Sequence, residues 1–315
     1  MLAFRVRKGQ SNMLSSRKDP SKVVEIQCQS HDRRPCAFEN YPGGPVNPSS
    51  VSKDELRKRL YVAIQAARKG RQVLNEYFGK LERVETKYMA GLVSEADKES
   101  ERVIQEHLLK SFPEDVFLGE ESYTDQTLVE QDPRPRWIVD PLDGTTNYIH
   151  RFPIYCVSIG LQIGQQNMVA VIDVPQFHEV YTAIKGQGSY MNGKKIEVSQ
   201  AIHLKESLLA TGFFGEDPTI LQQQMEIFAK VIRQSRGIRR PGAAAYDLCM
   251  VARGSLDAFW EQNLKAWDTC AGQLLVEEAG GRCTTYQGDN YTPFRKTLVA
   301  SNGKIHQELL TMIQK

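Results

Sequence analysis

The 315-residue chain is 41% apolar, 9% aromatic and 25% charged, the makeup of a soluble globular protein with one large core or two moderate ones, which excludes disorder throughout. Forty Lys and Arg against 38 Asp and Glu leave a formal charge of +2, too weak a field to hold a nucleic acid or an anionic membrane by itself. No apolar stretch approaches the roughly 20 residues of a membrane helix, and residues 1–6 are too short for a signal-peptide core, so a soluble, cytoplasmic protein is expected.

Residues 1–50 hold eight Lys/Arg and four Asp/Glu and lack sustained periodicity. They end in Tyr41-Pro42-Gly43-Gly44-Pro45-Val46-Asn47-Pro48, a string of turn formers that cannot continue a helix or strand. The segment reads as a disordered basic extension; its first 18 residues, basic and free of acids, also fit an organelle transit peptide. Order is predicted to begin at Ser52-Lys53-Asp54-Glu55, a capping box that satisfies the first free N–H groups of a helix. Leu56, Leu60, Ile64, Ala67, Leu74 and Phe78 mark one face of that helix, and Gly79 offers a stop. A second helix is predicted from Ser94 to just before Phe112-Pro113.

The period then changes. Val116-Phe117-Leu118 and Trp137-Ile138-Val139 are short apolar runs that read as buried strands, each followed at once by acids. Residues 155–198 read as an antiparallel meander with a hairpin turn at Asn192-Gly193. Beyond residue 205 an α/β alternation is predicted: a strand at 208–211, helices at 219–234 and 243–253, and a strand at 256–260. A helix at 268–279 stops at Gly280-Gly281, followed by strands near Cys283 and Leu298 and a closing helix. The six cysteines form no CxxC pair and no His-Cys cluster of the zinc kind, so they read as reduced, mostly buried thiols. His150 and His178 are single, follow no ligand spacing and read as structural.

The chemistry concentrates in Trp137-Ile-Val-Asp-Pro-Leu-Asp-Gly-Thr-Thr-Asn147, where a buried strand delivers Asp140 and, after Pro141 has stiffened the turn, Asp143. Two carboxylates at that spacing can converge on one point, and they repel unless a cation sits between them. Hard oxygen ligands suit magnesium. If a short helix opens at Gly144, Thr145 and Thr146, its free N–H groups point into the same space and can hold a phosphate. A lone Asp-Gly-Thr triplet is as readily a turn with a helix cap; acids elsewhere in the chain shift the reading. They are Glu120 and Glu121, leaving the strand that ends at Leu118, and Asp268 in Ala266-Trp267-Asp268-Thr269. Each has an ordinary alternative, a solvated loop for the glutamates and a first-turn helix acid for Asp268.

Gly119-Glu-Glu-Ser122, the segment 137–147, and Trp267-Asp-Thr-Cys-Ala-Gly272 with Glu278-Ala-Gly-Gly281 together resemble the signatures of the inositol monophosphatase family, in its order and approximate spacing, over about residues 51–315. The resemblance implies an αβαβα sandwich, with an antiparallel sheet in the N-terminal half and a smaller mixed sheet in the C-terminal half. It divides the chain into the extension 1–50, a metal- and phosphate-binding subdomain 51–200 and a completing α/β subdomain 201–315. It further implies a Mg2+ cluster held by Glu120, Asp140, the Leu142 carbonyl, Asp143 and Asp268. Thr145, with Glu120 or through Asp97, would orient the attacking water. Gly144 and Thr145 would hold the phosphate, and Asp143, Ala244 and Glu261 the substrate hydroxyls, with Glu261 expected at the end of strand 256–260.

The implied reaction is hydrolysis of a small phosphorylated polyol, inositol 1-phosphate first, by a lithium-sensitive homodimer. Fructose-1,6-bisphosphatase, histidinol-phosphatase, 3′(2′),5′-bisphosphate nucleotidase and NADP phosphatase are activities of similar proteins. A non-catalytic scaffold that binds RNA or protein, with RNA taken by the basic tail, is the reading from another class. The match departs in two places. Gly242-Ala243-Ala244-Ala245 lacks the hydroxyl that relatives carry at Ala243, and Lys87 meets the family lysine only after a one-residue shift. Arg239-Arg240, Asp247-Leu248 and Phe259-Trp260-Glu261 look closest to bacterial-type members, and Arg239-Arg240 could supply the basic pocket that a second phosphate calls for.

Overall fold

The computed structural model describes residues 47–87, 91–122 and 132–314. They fall in one compact unit. The expected extension, up to residue 46, lies outside the described residues. Helix α1 (Lys53–Tyr77) starts where expected, with Ser52 Oγ accepting from Glu55 N at 3.1 Å. The second half of the expected capping box does not form. Glu55 turns its carboxylate to Arg59 Nε at 2.9 Å, and Arg59 also pairs with buried Asp115, so an ion-pair chain outcompetes the weaker bond to the cap. After the short antiparallel pair β1 (Val84–Lys87) and β2 (Gly91–Ser94) comes α2 (Glu95–Ser111), which has a full capping box between Ser94 and Asp97.

The larger sheet contains β3 (Val116–Gly119), β4 (Arg136–Asp143), β5 (Cys156–Ile163), β6 (Gln166–Val174), β7 (Glu179–Ile184), β8 (Gly188–Met191) and β9 (Lys194–Ile196) in that order. Its pairings are antiparallel, as expected, except that β3 runs parallel to β4. Asn192 and Gly193, with φ of 48° and 76°, turn β8 into β9 as the left-handed pair of a tight hairpin. The short helix α3 (Thr145–Ile149) interrupts the chain between β4 and β5.

The smaller sheet is mixed. It contains β10 (Leu208–Thr211), β11 (Gly237–Arg239), β12 (Ala258–Gln262), β13 (Arg282–Thr284) and β14 (Thr297–Ser301), in spatial order β11-β10-β12-β14-β13. The remaining helices are α4 (Pro218–Gln234), α5 (Ala244–Ala252), α6 (Ala266–Glu278) and α7 (His306–Gln314).

Helices α1 and α2 pack on one face of the larger sheet, α5 and α6 fill the space between the sheets, and α7 with α4 covers the far side of the smaller one. This is the expected αβαβα order. The middle layer is tightly packed: ten of the thirteen residues of α6 are buried, as a helix packed on both faces must be. It lies so close to β5 that a Cβ on Gly160 would sit 2.4 Å from Cys270 Sγ. The strand expected at 256–260 falls two residues later, at 258–262, because Leu256 closes the turn from α5 instead, its N–H bonded to Met250 O at 3.0 Å. Glu261 is therefore the last residue but one of β12, a central strand that pairs with β10 as far as Trp260 and with β14 as far as Gln262. Among the described residues no helix is long and apolar enough to cross a membrane.

Candidate active site

Strand β4 is buried at all eight positions, which fixes where its acids emerge. In a regular strand residues three apart face opposite sides. Here Asp140 pairs with Ser158 and Asp143 with Cys156, three residues on β4 against two on β5, and this bulge returns Asp143 to the face that carries Asp140. Leu142 N donates to Asp140 Oδ1 at 2.9 Å and holds the turn closed. Gly144 then caps α3 at φ 92°, where a side chain would be strained and its Cβ would lie 2.9 Å from the Ile154 carbonyl.

Helix α2 grips this turn through one face. Ser100 Oγ donates to Pro141 O at 3.0 Å, and Glu101 Oε2 accepts from Glu121 N at 2.7 Å, next to Glu120. Asp97 is fully buried; its Oδ2 accepts from Ser94 N at 2.8 Å and from Ser94 Oγ at 2.5 Å, leaving Oδ1 for Thr145 Oγ1 at 3.1 Å. Thr145 Oγ1 stands equally 3.1 Å from Leu142 O. One hydroxyl proton serves two acceptors, so the Thr145 oxygen keeps its lone pairs for a third group.

The acids perturb one another. Burial pushes Asp140 well above the carboxylate range, and Glu120, Asp143 and Asp268 add repulsion. Asp143 is pushed up to about 6, again first by burial, while N–H bonds from Ala245 (2.7 Å) and Ala244 pull it down. Asp268, at the third position of α6 with Oδ2 accepting from Lys265 N at 2.6 Å, is raised well above its usual value by burial and then by Asp143 and Glu120. Among the described residues no three His, Cys, Asp or Glu side chains are drawn to ligating separation; what joins these four carboxylates is their field. Oxygen-only donors that destabilise one another's charge fit a hard divalent cation.

Beyond Asp143 opens a cavity of about 140 Å³, whose lining includes Arg240, Ala244, Asp247, Glu261 and Asp268. Glu261 lies over Gly212, where a Cβ would come within 2.0 Å of its carboxylate. Burial raises Glu261 to about 7 against the pull of Arg240. Ala243, without a hydroxyl, caps α5 with no side-chain bond, and Asp143 supplies the missing acceptor from another element.

Asp97, Glu120, Asp140, Leu142, Asp143, Gly144 and Thr145 thus stand on one turn and the elements clamped to it, while Ala244, Glu261 and Asp268 approach from the smaller sheet and the middle helices. The side chain of Lys87 lies outside the described part. His150 ends α3 and His178 closes a turn at φ 53°; neither lines the cavity. Cys156, Cys249, Cys270 and Cys283 are free and buried, and Cys28 and Cys36 fall outside the described residues. Asp247, noted only as bacterial-type context, and Arg240, expected as half of a basic pair for a second phosphate, both line the cavity. No local signal marks Asp247, since on a helix as apolar as α5 an acid reads as a first-turn partner of the dipole.

An αβαβα sandwich with acids at the end of a buried strand has known relatives. The model of the inositol monophosphatase family matches residues 55–315, and the chain belongs to that family, whose members hydrolyse phosphomonoesters. It is 40% identical over 265 residues to the fructose-1,6-bisphosphatase/inositol-1-monophosphatase of Aquifex aeolicus, covering 83% of this chain and 97% of that one. The crystal structure of extragenic suppressor protein suhB from Bartonella henselae matches with a TM-score of 0.76 at 38% identity, covering 82% of this chain and 99% of that chain. Inositol monophosphatase from Anabaena matches with a TM-score of 0.72 at 36% identity, covering 82% and 96%.

Proposed function

We propose that the protein is a Mg2+-dependent phosphomonoesterase of small phosphorylated polyols, inositol 1-phosphate first. The observation that carries this reading is the shared field of Asp140, Asp143, Asp268 and Glu120 around a turn that also presents Thr145. Those four acids and the Leu142 carbonyl would hold Mg2+, which when bound supplies Lewis-acid polarisation of water and of the phosphate oxygens. The Gly144 and Thr145 N–H groups would hold the phosphate. The Thr145 oxygen would accept from the attacking water, and Asp97, fixed by Ser94, would draw off the proton through the Thr145 hydroxyl. Glu261, Ala244 and Asp143 would receive the polyol hydroxyls. A bisphosphate is the second reading, supported by Arg240 at the cavity.

A homodimer goes with this reading and is supported by half-exposed Phe152 beside the apolar groove at Tyr246; light scattering measures it. Cytoplasmic location and lithium inhibition belong to the same proposal. The test is phosphate release from inositol 1-phosphate, fructose 1,6-bisphosphate, histidinol phosphate, a 3′,5′-bisphosphate nucleotide and NADP, with and without Mg2+. Inositol 1-phosphate is expected to turn over only with Mg2+, and Asp140→Asn to lower the rate at least about a thousandfold, the several kcal/mol such a metal contributes. Turnover that survives chelation or Asp140→Asn defeats the reading.

A further inference from the structure

Asp247 is the anomaly of the cavity. It is 2% exposed, yet its Oδ1 has no hydrogen-bond partner, in a protein that satisfies Asp97, Asp115 and Asp257 with two or more bonds each. An unpartnered buried carboxyl is costly and calls for a ligand or a function. Its surroundings exclude a second internal role. It lies in the first turn of α5, lines the same cavity as Glu261, and feels Glu261 and Asp143 as repulsive neighbours against the one opposing cation, Arg240. Glu261, the other carboxyl on that wall, likewise makes no hydrogen bond within the described residues, and Gly212 leaves it room. Arg240 itself is exposed, so its charge is screened by water while the acids are desolvated.

We propose that Asp247 pairs with Glu261 as a specificity-determining carboxyl recess that hydrogen-bonds adjacent hydroxyls of a neutral polyol and disfavours a second phosphate group there. The inference rests on the phosphatase reading above and sharpens its substrate class. Hydroxyls suit the recess because each can donate to a carboxyl oxygen and accept from a protonated carboxyl, whereas a second phosphate would bring negative charge and oxygens that do not donate against Asp247 and Glu261. The cavity is small beside the roughly 300–1,000 Å³ of drug-sized pockets, which favours one ring or a short chain.

The experiment measures kcat/KM of the full chain with Mg2+, intact and as Asp247→Asn and Asp247→Ala. The substrates are inositol 1-phosphate, 4-nitrophenyl phosphate, which offers no polyol, and fructose 1,6-bisphosphate. The ratio of inositol 1-phosphate to 4-nitrophenyl phosphate is expected to fall about ten- to hundredfold in both variants, the range for losing a buried polar contact. The ratio of bisphosphate to monophosphate is expected to rise. Unchanged ratios, or parallel loss on every substrate as a merely structural residue would give, overturn the proposal. A separate arm follows thermal stabilisation by free myo-inositol, which intact protein must show and Asp247→Ala must lose. That arm reads the recess even if no ester is hydrolysed, the outcome that would sink the phosphatase reading instead.

Discussion

Two walls of the site are equally acidic and are built on opposite plans. On the α2 side Asp97 accepts hydrogen bonds from Ser94 and Thr145, and Glu101 accepts one from Glu121 N. On the α5 and β12 side Asp247 Oδ1 is buried without a hydrogen-bond partner among the described residues, and Glu261 lines the same cavity. A carboxylate whose lone pairs are filled by neighbours is locked in place and positions whatever touches it; one whose lone pairs are empty in a desolvated cavity is poised for a ligand. The first wall serves the reaction, which is common to all phosphate esters, and the second serves the choice among them.

Substitutions on the two walls should therefore differ in kind. The largest effect is expected from Thr145→Ala, which should lower kcat about 10²- to 10⁴-fold on every ester alike, with Thr145→Ser retaining most activity; a loss confined to polyol phosphates would break the contrast. On the same wall Glu101→Gln weakens the bond to Glu121 N and so loosens Glu120; it should raise the Mg2+ concentration needed for half-maximal rate several-fold on all substrates. Gly212→Ala on the open wall forces the Glu261 carboxylate aside. Its kcat/KM should fall about tenfold or more for inositol 1-phosphate but little for 4-nitrophenyl phosphate.

The smallest effect on activity, and the control for both walls, is at His306. Its ring nitrogens meet Thr284 Oγ1 and Ser301 Oγ, both at 2.8 Å, and burial lowers its pKa from 6.5 to about 4. The unfolded chain then binds the extra proton between those values. Stability is full above about pH 6.5 and declines as pH falls toward 4, and His306→Gln should flatten that part of a thermal-denaturation profile while leaving turnover near pH 7 unaltered.

Much of this was legible in local pattern. Ser52 and Ser94 announce their helices, Asn192-Gly193 its hairpin, and the apolar run Trp137-Ile138-Val139 a strand that exposes acids only at its end. The residues of the 137–147 turn could be named because a buried strand followed by a tight turn leaves them one exit. What was misread turned on partners remote in sequence. Glu55 abandoned its box for Arg59 because Asp115, 56 residues beyond Arg59, anchors that guanidinium. Glu261 was expected just past a strand ending at residue 260, and the strand proved to run to Gln262 because β14 pairs with it that far.

Short-range chemistry, acting over a turn or one strand, therefore determined the elements, the acid-bearing turn and the family resemblance. Only the tertiary structure decided that a bulge against β5 would turn Asp143 toward Asp140, that Asp143 would cap α5 where Ala243 has no hydroxyl, and that Asp247 would be buried without a partner. Each depends on which backbone lies opposite, and desolvation and hydrogen-bond satisfaction exist only once distant segments have packed.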